Sequence, residues 1–548
     1  MKKLLAIILA LTTVLGLCAC GGSKAGDAQG ETTPDGKVKL SIGMPTDALI
    51  LDLDNNSLTK WVEEECNVEL EFVEYAGGTD VATQITTTVS ARQELPDILL
   101  GIDLGESTVA RYGKDGYIRD LSEYYEDKEG ASKIFWDRLA NELSEYDQDL
   151  VVRKITNPEN GAIYGVPIVE TSLIDKMQYQ LFINVEWLDT LGLEKPTNNE
   201  ELVEVLRAFK TQDPNGNGLA DEIPLFGSQQ SGMCGNVVDW LINLFCYYNP
   251  NRSMLLSDDG KLYPSYTTDE FREGLKFVNQ LYKEELLTTL AWTASSPEMK
   301  QIITPSSGTA LCGIFLGHLT LHAVTGNELL YQYEPLKNWG YAVRNDTSCV
   351  MNTHITEDCG NPDKAFEVLM KLWSWDGSMR MRYGEYGVNW SDPTPGAKSD
   401  LGLDATYKLI SDPLRMQNTA RWPRMCTLNV YAECETAEIT AVENDPNAEW
   451  LATRSKMHTE SYAMFLETEQ NNNPKNLCPA LVYTEEEKTA TDAQRTNVGD
   501  CRTKAMADFC TGIRDINDDA AWEAYIKELE SLGLSEVVAL AQKAYDRS

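Results

Sequence analysis

Five segments near the start of the chain alternate in type, and that alternation limits the fold more than any other feature. Lys37 to Gly43 (KVKLSIG) alternates apolar and polar residues, as a half-buried strand does. Leu58 to Cys66 reads as a helix. Val68 to Val73 alternates again. Val81 to Arg92 has helical spacing, and Leu95 to Leu100 is a short apolar strand entered through Pro96. Strand, helix, strand, helix, strand is the order of an α/β domain with a mostly parallel sheet. In open sheets of this kind ligands sit beyond the carboxyl ends of the strands. Gly101 to Asp103 follows the third strand and is therefore a candidate cleft segment.

Further helices follow. Thr197 and Glu200 fit a capping box ahead of Leu202, Val205, Leu206 and Phe209 at helical spacing. A second long helix is expected from about Thr268 to Leu286, with Thr267 and Glu270 as its box. A third begins at Asn361-Pro362 and ends before Gly377. Asn471 to Asn476 reads as a loop. No internal repeat is present.

The 548 residues suffice for two lobes or several domains. With 42% hydrophobic residues the chain can bury a large core. With 47 Lys+Arg against 85 Asp+Glu the formal net charge is −38. Nucleic acid is excluded as a partner, because its binding needs Lys and Arg to displace phosphate counterions. A basic membrane-surface patch is excluded on the same grounds.

Lys2 and Lys3 precede an apolar stretch, Leu4 to Leu17, that is too short to span a bilayer. Residues 1–19 are expected to be an export signal. Leu17-Cys18-Ala19-Cys20 resembles a bacterial lipobox, which makes Cys20 the lipidation site, carrying acyl chains such as palmitate. Residues 20–36 are small and polar and read as a flexible tether. The protein is expected on the outer, extracellular face of the cell membrane, held there by its lipid anchor alone. Eleven cysteines remain in the body, with no C-x-x-C pair, so a zinc ribbon or redox motif is not indicated. They are either partly disulfide-bonded or buried as small apolar residues.

The most specific chemical motif is Asp213-Pro-Asn215-Gly-Asn217-Gly218-Leu219-Ala-Asp221-Glu222. Oxygen-bearing side chains stand at its first, third and fifth positions, with Gly sixth. Ca2+ takes six to eight oxygen ligands, one of them a backbone carbonyl at the seventh position, here that of Leu219. Asp221 stands ninth. The twelfth position is Pro224 rather than Glu, so Glu222 is expected to close the shell. A structural calcium ion is expected here; the bland alternative is a metal-free Asn-Gly turn.

Phe182 to Leu193, the helix after Pro196 and the loop DPNGNGLADEIPL together resemble the family 1 extracellular solute-binding proteins of ABC importers. The resemblance is nearest to the long, calcium-loop lipoproteins, similar to alginate- and oligosaccharide-binding proteins. Leu95-Pro-Asp-Ile98, Tyr164-Gly-Val-Pro167, Leu281 to Leu286 and Tyr383 to Trp390 carry it further. It implies a two-lobed periplasmic-binding-protein-like fold, type II-like, with a hinge and an interlobe cleft. Lobe one would hold 37–165 plus 305–355, and lobe two 166–304 plus 356–548. It also implies a monomer that captures a carbohydrate, most simply an oligosaccharide, and delivers it to the transmembrane subunits of an ABC importer without catalysis.

A sugar presents apolar C–H faces and hydroxyls, which suit aromatic side chains with a few polar groups. Trp240, Trp292, Trp390 and Trp422 lie in or near loop segments and are candidate ligand contacts. Asp103 and Glu170 sit where members of the family place sugar-binding carboxylates. Each of these has a plainer reading as core packing, capping or solvated surface.

Two other classes compete. A secreted carbohydrate-active hydrolase needs two carboxylates facing across a cleft, which sequence alone does not locate in so acidic a chain. A calcium-dependent surface adhesin would favour repeats. His318 and His322 are four apart, but no Glu follows His318, so the zinc-protease pattern fails. No P-loop, dinucleotide-binding or nucleophile-elbow motif is present.

Overall fold

The computed structural model describes residues 31–76, 81–172, 176, 177, 179–228, 236–303, 305, 307–317, 332–399, 403–411, 413, 414, 416–429 and 448–547. The expected signal, lipidation at Cys20, most of the tether and the His318/His322 pair lie outside the described residues.

The first sheet has five strands in the order β2-β1-β3-β11-β4. β1 (Val38–Pro45), β2 (Val68–Tyr75) and β3 (Ile98–Leu99) are mutually parallel, as the alternation predicts. The helices Ser57–Cys66 and Val81–Ser90 connect them. Asp97 fixes the register: its Oδ2 accepts from Ser41 N at 2.7 Å and Ser41 Oγ at 2.6 Å. β4 (Val166–Glu170) and β11 (Ser348–Ile355) complete the sheet, with β11 antiparallel to both β3 and β4.

The second sheet has four strands in the order β10-β5-β9-β6. These are β5 (Gln180–Asn184), β6 (Ile223–Phe226), β9 (Cys312–Gly317) and β10 (Tyr333–Leu336). Two small hairpins stand apart, β7 (Met254–Leu256) with β8 (Leu262–Pro264) and β12 (Trp390–Ser391) with β13 (Lys408–Leu409).

Each sheet has its own core. Leu40, Ile42, Phe135, Phe366, Trp373 and Trp422 pack on the first. Leu206, Phe271, Val278, Phe509 and Trp522 belong to the core of the second. Each fully buried side chain of this size contributes about 1.5–3 kcal/mol, so either half has ample means to hold together. The expected lobe boundaries therefore move. Residues 166–170 pair in the first sheet, whereas 312–317 and 333–336 pair in the second. The helix Pro362–Trp373 and Cys426 pack on the first core, and the C-terminal helices pack on the second. Strand pairing reassigns these pieces, because a segment belongs to whichever sheet takes its backbone hydrogen bonds.

Helix starts shift slightly from expectation. Asn198, not Thr197, caps the helix Asn199–Thr211, and Glu201 turns back to accept from both Thr197 N and Oγ1 at 2.8 Å. Thr268 caps Asp269–Lys283. The third helix stops at Trp373. Ser374 then caps a new one, Trp375–Tyr383, which runs through Gly377. The loop expected from Asn471 begins only after the helix Ala448–Asn472.

The nine described cysteines all carry free thiols. Burial pushes that of Cys426 up to about 12.

Candidate ligand-binding cleft

Gly101 has φ +67, a conformation Gly adopts at no steric cost, and it turns the chain sharply after β3. The turn carries Asp103 past the end of the strand, where it accepts from Gly105 N at 2.9 Å. Asp103 lines a cavity of about 510 Å³. The walls of that cavity come from both halves of the molecule. Tyr164 and Met351 come from the first sheet's side, and Tyr483, Glu485 and Arg495 from the segment leading into the helix Glu485–Thr511 and from that helix. A second cavity of about 900 Å³ adjoins it, lined by Tyr179, Asp239, Tyr266, Asp346 and Arg502 among others. Lys154, Asn251, Leu481, Tyr483 and Arg495 line both, so the two are one cleft.

The cleft is polar and held by ion pairs. Arg252 Nη1 lies 2.6 Å from Asp346 Oδ1, and Tyr146 OH donates to the same oxygen at 3.0 Å. Burial works against the Arg252 charge, but Asp346, Tyr146 and Tyr247 together outweigh it and hold its pKa above the ordinary value. Lys488 pairs with both Glu106 and Glu485 and so bridges the two halves at the rim. Burial pushes the Asp239 carboxyl up to about 7, against the nearby Arg502 charge and a hydrogen bond with Asn236. Arg502 Nη1 donates to Pro250 O at 3.3 Å, and its guanidinium lies 5.3 Å from the Tyr266 ring centre.

Of the six residues expected to touch ligand, only Asp103 lines the cleft. Glu170 ends β4 and accepts from Asn429 Nδ2 at 3.4 Å. The tryptophan expectations are corrected. Trp422 is wholly buried, its Nε1 donating to Thr59 Oγ1 at 2.9 Å. Trp390 packs with Met379, Tyr383 and Tyr407 and donates to Gly384 O. Trp240 is in the larger core, edge-on to Trp339. Trp292 packs against that same core, with its Nε1 buried and unpartnered. Trp240 lies in the helix Val237–Ile242, Trp292 ends a short helical turn and Trp390 opens β12, and rings this large bury their apolar surface where such elements pack.

Tyrosines line the cleft instead: Tyr164, Tyr179, Tyr266 and Tyr483. Sequence reasoning missed them along with Lys154, Arg495 and Arg502. One signal was available. Lys488, Asp492, Arg495, Gly499 and Arg502 recur at intervals of four and three, a single face of the helix Glu485–Thr511.

The loop 213–222 is tightly turned, with Asp213 at φ 44, Gly216 at φ 66 and Gly218 at φ 76. Asp213 accepts from Asn217 N at 3.1 Å and Gly218 N at 3.0 Å, and Asn217 Oδ1 accepts from Leu219 N at 2.7 Å. Glu222 Oε1 is buried without a partner. Burial raises its pKa, and the charges of Asp213 and Asp221 raise it further. Among the described residues no group of three or more His, Cys, Asp or Glu side chains is gathered for a metal. The hard-oxygen donors of the loop, amides and a carbonyl included, and the orphaned Glu222 oxygen nevertheless fit Ca2+.

Two cored sheets with a polar cleft between them make the two-lobed periplasmic-binding-protein-like fold, the architecture of extracellular solute-binding proteins. No family model matches the chain. It is 23% identical over an alignment of 562 residues to the fructooligosaccharide ABC transporter substrate-binding protein FusA of Streptococcus pneumoniae, covering 97% of this chain and 95% of FusA. Over 145 residues, 26% of this chain and 27% of the relative, it is 32% identical to lipoprotein LipO of Bacillus subtilis. Among solved structures it is similar to an HMO-binding, ABC-transporter-associated solute-binding protein from Bifidobacterium longum infantis. The TM-score is 0.70 at 21% identity, over 93% of this chain and 99% of that one. FusA and the Bifidobacterium protein are solute-binding proteins of ABC transporters, as the sequence motifs lead one to expect.

Proposed function

We propose that this chain is the substrate-binding lipoprotein of an ABC importer and captures an oligosaccharide between its lobes. The observation that carries the reading is the joined cleft, walled from both sheets by tyrosines and charged side chains. Tyrosine offers an apolar face for sugar C–H groups and a hydroxyl for sugar oxygens. Relatives that bind fructooligosaccharide or HMO support a saccharide ligand. The ligand favours the closed arrangement of the lobes and shifts the population toward it. It is then released unchanged to the importer's transmembrane subunits.

A monomer tethered through acylated Cys20 to the outer face of the cell membrane fits this role, and the match to lipoprotein LipO supports the anchor. Asp213, Asn215, Asn217, Asp221, Glu222 and the Leu219 carbonyl would hold a structural Ca2+. The ion would supply positive charge to cross-link the loop, and it takes no part in ligand capture.

The test is calorimetry with a panel of oligosaccharides, followed by chromatography of the recovered sugar. Saturable binding with the sugar recovered intact is expected. No binding across the panel, or shortened products, would overturn the reading.

A further inference from the structure

We infer that the cleft selects an acidic oligosaccharide, seating its carboxylates along Lys154, Arg495 and Arg502. This rests on the saccharide-capture reading above and narrows its ligand class.

The molecule as a whole is strongly acidic, at −38. Six acids line the cleft: Asp103, Glu106, Asp239, Asp346, Glu485 and Asp492. Most are already engaged. Asp346 is taken by Arg252, and Glu106 and Glu485 are taken by Lys488. Asp103 accepts from Gly105 N. Asp239 lies buried near Arg502, and Asp492 is exposed one turn before Arg495.

Three of the five lining cations have no such engagement. Among the described residues Lys154, Arg495 and Arg502 make no ion pair, whereas Arg252 and Lys488 do. Lys154 stands in the last turn of the helix Glu145–Ile155, on the first sheet's side. Arg495 stands on the helix Glu485–Thr511, on the second sheet's side, with its guanidinium 5.1 Å from the Tyr483 ring centre. These two residues face the junction of the cavities from opposite halves. Arg502 lies two turns further along the same helix face as Arg495, and its Nε is buried with no hydrogen-bond partner. A buried donor left unsatisfied is costly, and a ligand oxygen would satisfy it.

Lys154 and Arg495 are exposed at the junction, and a neutral sugar brings no counter-charge to them or to Arg502. Carboxylates on successive sugars answer them along the cleft: guanidinium binds a carboxylate with two parallel N–H···O bonds, and ammonium binds one as a point charge. A sulfate ester shares this chemistry in part, so the experiment separates the two.

The test is calorimetry on the purified protein with three matched pairs of trisaccharides: galacturonate against galactose, glucuronate against glucose, mannuronate against mannose. Sulfated forms of the neutral trimers make a further arm. At least one acidic trimer is expected to bind about tenfold or more tightly than its neutral counterpart. That margin should shrink between about 0.05 and 0.5 M salt. The Lys154→Met/Arg495→Met variant should reduce the acidic-to-neutral ratio to within about twofold of unity, with its far-UV spectrum and melting temperature confirming the fold. Neutral trimers that bind as well as or better than acidic ones overturn the inference and leave saccharide capture standing. So does a double variant that weakens both classes equally. Sulfated trimers that bind better than carboxylated ones overturn the carboxylate assignment. If no trimer of any kind binds, saccharide capture falls and takes this inference with it.

Discussion

Asp147 Oδ2 lies 2.9 Å from Lys176 Nζ, and the pair is nearly buried, at 13% and 9% exposed. Asp147 Oδ1 also accepts from Thr347 Oγ1 at 2.5 Å. Lys176 lies between β4 and β5, and Thr347 between β10 and β11. Both segments cross from one sheet to the other. They also join each other, with Asn345 N donating to Lys176 O at 2.8 Å. One carboxylate therefore clips two crossings together where a hinge would bend.

Asp147→Ala is expected to destabilise the protein by about 3–5 kcal/mol, because it strands the Lys176 ammonium in a nearly dry site. The double variant with Lys176→Met should recover part of that loss. Urea unfolding of the single and double variants measures it, and simple additivity would argue against the clip. Burial pushes the Asp147 pKa up, but hydrogen bonds from Thr347, Ser144 and Lys176 and the Lys176 charge outweigh it, leaving it below the ordinary value. A depressed carboxyl stabilises the fold above the unfolded value of about 4, and that support is lost as pH falls further.

His354 loses its support in the same direction, but for a different reason: the fold favours its neutral form, whereas it favours the charged form of Asp147. It is fully buried, and Nδ1 must donate to the Tyr164 carbonyl 2.7 Å away, leaving Nε2 bare and unpartnered. Burial lowers its pKa to about 4, against the raising effects of Tyr164 O and Asp103. The folded state therefore prefers the neutral ring. Its contribution is complete above the unfolded pKa of about 6.5 and declines toward pH 4, by roughly 3 kcal/mol. Melting curves at stepped pH should show that decline, and His354→Gln should flatten it. An unchanged slope in the variant would count against His354 as its source.

Trp422→Ala and Tyr483→Ala should separate packing from binding. The first removes a buried ring and is expected to cost about 3–5 kcal/mol of stability, with the affinity of the folded protein for its saccharide within about twofold of the original. The second touches the cleft and should weaken saccharide binding about tenfold or more, at a stability cost below about 1.5 kcal/mol. Chemical denaturation and calorimetry read the two effects independently. A reversed pattern would relocate the binding surface to the tryptophans.

Chelation should lower the melting temperature if the loop at Asp213 to Glu222 holds Ca2+. At a free concentration about a hundredfold above Kd, an ion adds about 2.7 kcal/mol to the folded state. Asp213→Ala should melt at the chelated temperature whether or not calcium is supplied. Identical melts of the original protein with and without chelator would remove the metal from this account.

Where a signal was local, the sequence carried it well. The β1–β3 alternation, the Asn361-Pro362 start and the long helix after Thr268 depend on residues within a few positions of one another. The caps at Asn198 and Thr268 were missed by one residue because neighbouring side chains competed. Glu201 reaching back to Thr197 left Asn198 to hold the helix. The lobe boundaries were missed for a different reason. Val166–Glu170 and Ser348–Ile355 lie far apart along the chain and pair with each other, and their own residues do not encode that choice.

The cleft shows the same division. The periodicity of the chain determined that it would be α/β, and the spacing of oxygen donors determined a loop fit for a hard cation. Which aromatic rings line the cleft, and which cations among the described residues make no ion pair there, was decided by tertiary packing. Burial and ion pairing are relations between distant segments, and a side chain acquires them only when those segments meet.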